Sequence, residues 1–286
     1  MSAKFVYGKE VATTIRSQIV SELATLKELT GGDVPGLGVV LVGEDPASRA
    51  YVVGKQKRGK VFGYHSVVRH VPADTKQKDV LHLIEELNED DSIHGILVQL
   101  PLPDQIDEKA VIDAINHKKD VDGFHPRNVG NLVSGKDSFI PCTPNACMKI
   151  LEHIHYDLKG KHVVVVGRSN IVGKPISLLM LRQHATVTVC HSNTPDLAAV
   201  CREGDVVVVA VGEPGLITGD MIKKNAVVID VGVTRVGEKL VGDVDVESVK
   251  EVASYITPVP GGVGPMTITM LMLNTLQAFK RKHGLK

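Results

Sequence analysis

Apolar stretches of strand length recur along the chain. "GLGVVLVG" (36 to 43), "IHGILVQL" (93 to 100), "KHVVVVG" (161 to 167), "ATVTVC" (185 to 190), "DVVVVAVG" (205 to 212) and "NAVVIDVG" (225 to 232) hold Val, Leu and Ile mostly in continuous runs. A continuous run implies a strand covered on both faces, the setting of a parallel sheet flanked by helices. Between them, "TIRSQIVSELATLKEL", "KQKDVLHLIEELNED" and "KPISLLMLRQH" repeat apolar residues at helical spacing. The alternation predicts an α/β protein. It occurs in two sets, separated by the irregular "KKDVDGFHPRNVGNLVSGKDSFIPCTP", after which "NACMKILEHI" reads as a bridging helix. The pattern predicts a domain over 1–145, a second over 146–265, and a last helix over 266–286 that packs back on the first. Internal repeats and low-complexity segments are absent.

At 286 residues, about two domains with separate cores are expected, which leaves room for a cleft between them. Lys plus Arg equals Asp plus Glu at 33 each, and five Phe, five Tyr and no Trp offer little stacking surface. A nucleic-acid partner is therefore not expected, and small molecules are. Cys142, Cys147, Cys190 and Cys201 show no CxxC pairing, which suits free thiols in a reducing cytosol. "MSAKFVYGKE" lacks a signal-type apolar core, and no apolar run reaches membrane-spanning length. The expectation is a cytoplasmic protein with no membrane contact. The spacing of Cys142, Cys147, His153 and His155 fits no usual zinc site, so no metal is expected. The basic "KRKHGLK" reads as a solvated helix end.

In the second half, "VVVVGRSNIVGKPISLLML" puts Gly167 after a buried strand and Gly173 at the opening of a helix, the context of a pyrophosphate loop. The spacing departs from GxGxxG, since Arg168 and Ser169 follow Gly167 directly. The next strand ends in "CHSNT", where His191, Ser192, Asn193 and Thr194 supply no carboxylate for a ribose hydroxyl. Hydroxyl, imidazole and the nearby Arg168 suit a 2'-phosphate, so NADP is expected over NAD. The alternative is a Rossmann-like loop that merely turns the chain.

In the first half, Tyr51 and Lys55 stand four apart in "EDPASRAYVVGKQKRGKVFG", on one face of a helix that Ser48 is expected to cap or begin. Such a pair is often surface decoration, yet Gln99 ends the apolar run "GILVQLPLP" and Asp122 lies in "KDVDGFHP". In open α/β sheets these positions fall beyond the carboxyl ends of strands, where ligands bind. Asp122 could accept paired hydrogen bonds from a ligand or cap its own loop, a task Asp120 would serve as well. "PVPGGVGPMT" (258 to 267) spends three prolines and three glycines on ten positions, which specifies one shaped loop: a tight crossover or the wall of a site.

"YVVGK", "GILVQLPLP", "KDVDGFHP", "GRSNIVGKP" and "TPVPGGVGPMT" occur together and in order. With them the chain resembles, over nearly its whole length, the bifunctional methylenetetrahydrofolate dehydrogenase and methenyltetrahydrofolate cyclohydrolase family. The resemblance implies two α/β domains with a cleft between them, the C-terminal one a Rossmann-type domain binding NADP, and a homodimer through the nucleotide domains. It implies that Lys55 is the catalytic lysine, Tyr51 its companion at the pterin, Gln99 its hydrogen-bonding partner and Asp122 the carboxylate that anchors the ring. Pro258, Val259, Gly261 and Gly262 would lie against folate. Gly167, Arg168, Ser169, Gly173, His191, Ser192 and Thr194 would hold the cofactor, and "PCTP" (141 to 144) matches the interdomain segment. Asn193 replaces a residue that is basic in many members, which leaves dual cofactor use open. The rivals are another NADP-dependent two-domain dehydrogenase, such as one acting on an alicyclic acid, and a folate and nucleotide sensor without turnover.

Overall fold

The structure is a computed structural model that describes residues 2–285; Met1 and Lys286, which end the expected ranges, lie outside the described residues. The chain begins β1 (Lys4–Phe5), α1 (Gly8–Leu29), β2 (Gly36–Val42), α2 (Pro46–Phe62), β3 (His65–Val71), α3 (Gln77–Glu89), β4 (Gly95–Val98), α4 (Glu108–Ala114) and α5 (Pro126–Val133). It continues α6 (Cys142–His153), β5 (His162–Val166), α7 (Gly173–Arg182), β6 (Thr186–Cys190), α8 (Leu197–Glu203), β7 (Val206–Val209) and β8 (Val227–Asp230). After the hairpin β9 (Thr234–Val236) and β10 (Lys239–Val241) come α9 (Val246–Val249), β11 (Tyr255–Ile256) and α10 (Gly264–Lys282). All six apolar runs are strands.

The chain divides into two compact units. One joins Ile15–Cys142 to the chain from Ile268 onward, and the other joins the segment ending at Thr14 to Thr143–Thr267. The chain therefore passes from unit to unit inside α1, α6 and α10. Residues up to Thr14 group with the second half and not the first. Their anchor is β1, which pairs in parallel with β11 (Lys4↔Tyr255, Phe5↔Ile256), while Ala3 is buried in that unit's core. A two-residue strand carries no periodicity from which this could be read.

In the first-half unit a parallel sheet in the order β3-β2-β4 has α3 and α4 over its buried Val40, Ile96 and Val98. The edge strand β3, "HSVVRHV", is half exposed and mixes polar with apolar residues, so it carries no apolar run. An isolated parallel bridge, Ile96↔Asp120, adds the 120–122 segment beside β4. In the other unit a six-stranded parallel sheet runs β1-β11-β8-β7-β5-β6, with β5, β7 and β8 almost fully buried and β6 on the edge. Among the described residues no helix is long and apolar enough to cross a membrane.

Candidate active site

Helix α2 starts directly beyond the carboxyl end of β2. Its cap is Asp45, whose carboxylate accepts from the Ser48 amide at 2.7 Å, with Pro46 in the first turn. Ser48 thus lies inside the helix, a correction to its expected capping role: the aspartate precedes a proline whose fixed φ already suits a helix start. Gly63, at φ 76°, ends the helix in the left-handed conformation.

Three turns of α2 carry Lys55 inward until the residue is 8% exposed, while Tyr51 stays 44% exposed. The Lys55 ammonium donates to Gln99 Oε1 at 2.8 Å, and Gln99 Nε2 donates to the Leu100 carbonyl at 2.6 Å. Gln99 stands at the carboxyl edge of the sheet, where its amide donates to Val40 O at 2.9 Å. Its oxygen is thereby aimed at Lys55 and its nitrogen tied back. Burial lowers the Lys55 pKa, with the charges of Asp122 and Cys142 opposing the fall. Burial pushes the Asp122 carboxyl up to about 6, against the attraction of Lys55, and raises the Cys142 thiol well above its ordinary value.

Hydrogen bonding shows which of Asp120 and Asp122 caps the loop. Asp120, 2% exposed, accepts from the amides of Gly123, Phe124 and His125 at 3.1, 3.2 and 2.8 Å and from Asn128 Nδ2 at 2.8 Å. Asp120 is the loop cap. Asp122 is left half-buried, and among the described residues its neighbour of hydrogen-bonding type is the Cys142 thiol, 3.7 Å from Oδ1.

In the other unit, Gly167 ends β5 at φ +120°, where a side chain would meet Ala210 O at 2.3 Å, and a Cβ on Gly173 would lie 2.2 Å from Gly167 O. The two glycines allow strand and helix to meet this closely, which makes the cradle a nucleotide loop needs. The Ser169 hydroxyl oxygen accepts from the amides of Val172 and Gly173 at 3.1 and 3.3 Å and keeps its own proton to donate. Because β5 and β6 pair in register through Val166↔Cys190, Arg168 and the 191–194 turn emerge side by side. That turn is closed by His191 N donating to Thr194 Oγ1 at 2.9 Å, so Thr194 shapes the loop while Arg168, Ser169 and Ser192 are exposed. These residues fit a dinucleotide carrying an extra phosphate: backbone cradle, hydroxyl donors and one guanidinium.

The 258–262 stretch is a tight turn, with Gly262 N donating to Pro258 O at 2.7 Å and Gly8 N to Gly261 O at 2.9 Å. Pro258, Val259 and Gly261 stay half-buried, whereas Gly262 is buried. Sequence reasoning missed two buried carboxylates in the same unit. Asp230 accepts from the amides of Gly232, Asp243 and Val244 at 3.0, 3.1 and 3.0 Å, and burial pushes its pKa up to about 7. Asp243 Oδ2 accepts from Val211 and Gly212 at 2.7 and 2.9 Å. Together they hold the loops that follow β7 and β8. The available signal was a charge inside "VVIDVG" and "GDVD", where a buried carboxylate needs several donors.

A six-stranded parallel sheet with a glycine cradle in one unit, and Lys55, Gln99 and Asp122 presented by the other, define a dinucleotide-dependent two-domain enzyme. Residues 6–122 match the tetrahydrofolate dehydrogenase/cyclohydrolase catalytic domain and residues 141–283 the NAD(P)-binding domain of the same proteins. The bifunctional protein FolD of Moorella thermoacetica is 59% identical, over 98% of this chain and 100% of its own. The crystal structure of the Campylobacter jejuni bifunctional enzyme FolD, a methylenetetrahydrofolate dehydrogenase/cyclohydrolase, is 46% identical with a TM-score of 0.95, covering 98% of this chain and 100% of that one. The Trypanosoma brucei dehydrogenase-cyclohydrolase, solved with NADP and an inhibitor, is 40% identical with a TM-score of 0.96 over 99% of both chains. The chain belongs to the tetrahydrofolate dehydrogenase/cyclohydrolase family, which sets aside the alicyclic-acid dehydrogenase.

Proposed function

We propose that this chain oxidises 5,10-methylenetetrahydrofolate to the 5,10-methenyl form with NADP and hydrolyses that product to 10-formyltetrahydrofolate. The observation that carries the reading is the buried Lys55 ammonium, held by Gln99 at 2.8 Å in the charge field of Asp122. When bound, NADP supplies the hydride acceptor. Gly167, Arg168, Ser169, Gly173, His191, Ser192 and Thr194 hold it, and the protein's task in that step is alignment.

Hydrolysis asks more of the side chains. Water adds to the methenyl carbon, and a proton must leave the water and reach the departing nitrogen. A desolvated lysine gives up its proton more readily than an exposed one, so the Lys55 amine takes the proton from water and returns it as the adduct opens. Gln99 orients that amine without neutralising it, because an amide oxygen bears no full charge. Tyr51 lies along the pterin. Asp122, freed from capping by Asp120, accepts two parallel hydrogen bonds from the pterin's amino-pyrimidinone edge.

The same reading makes the protein cytoplasmic, in keeping with four buried free cysteines. It also makes it a homodimer joined through the nucleotide units, for which the β6 edge, with Val189 40% exposed, is suited. Sedimentation equilibrium giving a monomer mass would remove that element. The function is tested by following reduced nicotinamide and methenyl product separately, with 5,10-methylenetetrahydrofolate and either NADP or NAD. Both reactions are expected, with NADP preferred and the ratio between cofactors setting the weight of Asn193. Folded protein that binds both ligands and turns over neither would leave the sensor as the better account.

A further inference from the structure

We propose that Asn274, on α10, is a positioning residue for the Asp122 carboxylate, acting through the Val121 carbonyl and the Cys142 thiol; the inference rests on the reading of Asp122 as the folate-binding carboxylate. Asn274 is 2% exposed. Its Nδ2 donates to Val121 O at 2.8 Å and to Ile140 O at 2.9 Å. An amide nitrogen has two hydrogens, so both are spent on these carbonyls, and Cys142 Sγ at 3.8 Å is a packing contact. The Val121 carbonyl belongs to the peptide unit that leads into Asp122, so holding it fixes the plane from which the carboxylate projects. The Ile140 carbonyl lies just ahead of Cys142, so one amide ties together the two segments that meet at Asp122.

The thiol completes the link. Cys142 Sγ has two acceptors in reach, Val121 O at 3.5 Å and Asp122 Oδ1 at 3.7 Å. Val121 O keeps a second lone pair beside the Asn274 hydrogen, so the thiol reaches both oxygens, and of the two the charged carboxylate is the stronger acceptor. The titratable and charged groups facing Asp122 are Lys55 from α2, Asp120 from its own loop and Cys142 from α6. Of these, Asp120 opposes ionisation of Asp122, whereas Lys55 and the thiol favour it. Asn274 and Cys142 thus act on the conformation and the charge of Asp122 without needing to touch substrate.

The test compares Asn274→Ser, Cys142→Ala, Cys142→Ser and Asp122→Asn, measuring KM for folate and for NADP and the pH profile of kcat/KM for folate. Loss of the thiol donor to Asp122 in Cys142→Ala, and of at least one of the ties on the Val121 and Ile140 carbonyls in Asn274→Ser, should each raise the folate KM about 5- to 20-fold while leaving the NADP KM within about twofold. The acid limb should move up by about half a pH unit in Cys142→Ala, because the ionised carboxylate loses a donor, and in the same direction in Asn274→Ser, because the carboxylate is no longer held in line with the thiol. Cys142→Ser, which keeps a donor, should restore both. A purely structural role would reduce the yield of active enzyme or its melting temperature and leave the limb in place. An unmoved limb in Asn274→Ser and Cys142→Ala, with a folate defect in Asp122→Asn, overturns the positioning role. No folate defect in Asp122→Asn overturns the reading beneath it. Should Asn274→Ser fail to accumulate, Asn274→Thr, which fills more of the space and likewise cannot serve both carbonyls, is read in the same way.

Discussion

Lys55 and Asp122 pull each other's titration in opposite directions and are both displaced by burial, so pH separates their roles. The Asp122 carboxyl in the folded chain titrates at about 6, well above an ordinary aspartate. A raised folded pKa means that the native state binds the proton more readily than the unfolded chain. The associated stability is complete below about pH 4 and is lost as pH rises through 6. Asp122→Asn should remove that loss, making the ligand-free protein more stable than wild type by about 1–2 kcal/mol at pH 7.5, once partial exposure is allowed for, and by much less at pH 4.5. Urea midpoints at the two pH values check it, and an equal difference at both would contradict the assignment. The pairing of Lys55 with Gln99 was legible because Gln99 ends an apolar run at the carboxyl edge of a sheet and Lys55 lies on the helix that follows β2. Asp120 and Asp122 could not be told apart in "DVDG", since either fits a turn until the donors around each are counted. Cys142 and Asn274 were illegible for a different reason: their contact joins positions 132 apart in sequence.

Among the elements, the junctions carry the function. The six apolar runs were readable as strands because burial on both faces forces unbroken Val and Ile, whereas β1, β3 and β11 were not, being short or half exposed. The junction of β5 with α7 is the most demanding, since Gly167 and Gly173 leave no room for a Cβ. Gly173→Ala must displace the Gly167 carbonyl or the helix start, which should raise the NADP KM by more than about tenfold. Hydrolysis of methenyltetrahydrofolate uses no nicotinamide and should stay within about twofold of wild type. Parallel losses in both reactions would mean that the loop supports the fold as a whole and not the cofactor alone.

At the scale of the molecule, two units with separate sheets and cores share one chain through α1, α6 and α10, and the two reactions draw on them unequally. Oxidation requires folate and nicotinamide together; hydrolysis requires folate and a base. The account stands or falls on Lys55 as that base. The most direct measurement is the rate of methenyltetrahydrofolate hydrolysis by Lys55→Met, with folate and NADP binding recorded on the same preparation. The account predicts hydrolysis reduced by about a hundredfold or more, as expected for loss of general base catalysis, with NADP binding unchanged. Hydrolysis at the wild-type rate by a folded, folate-binding Lys55→Met protein would contradict it.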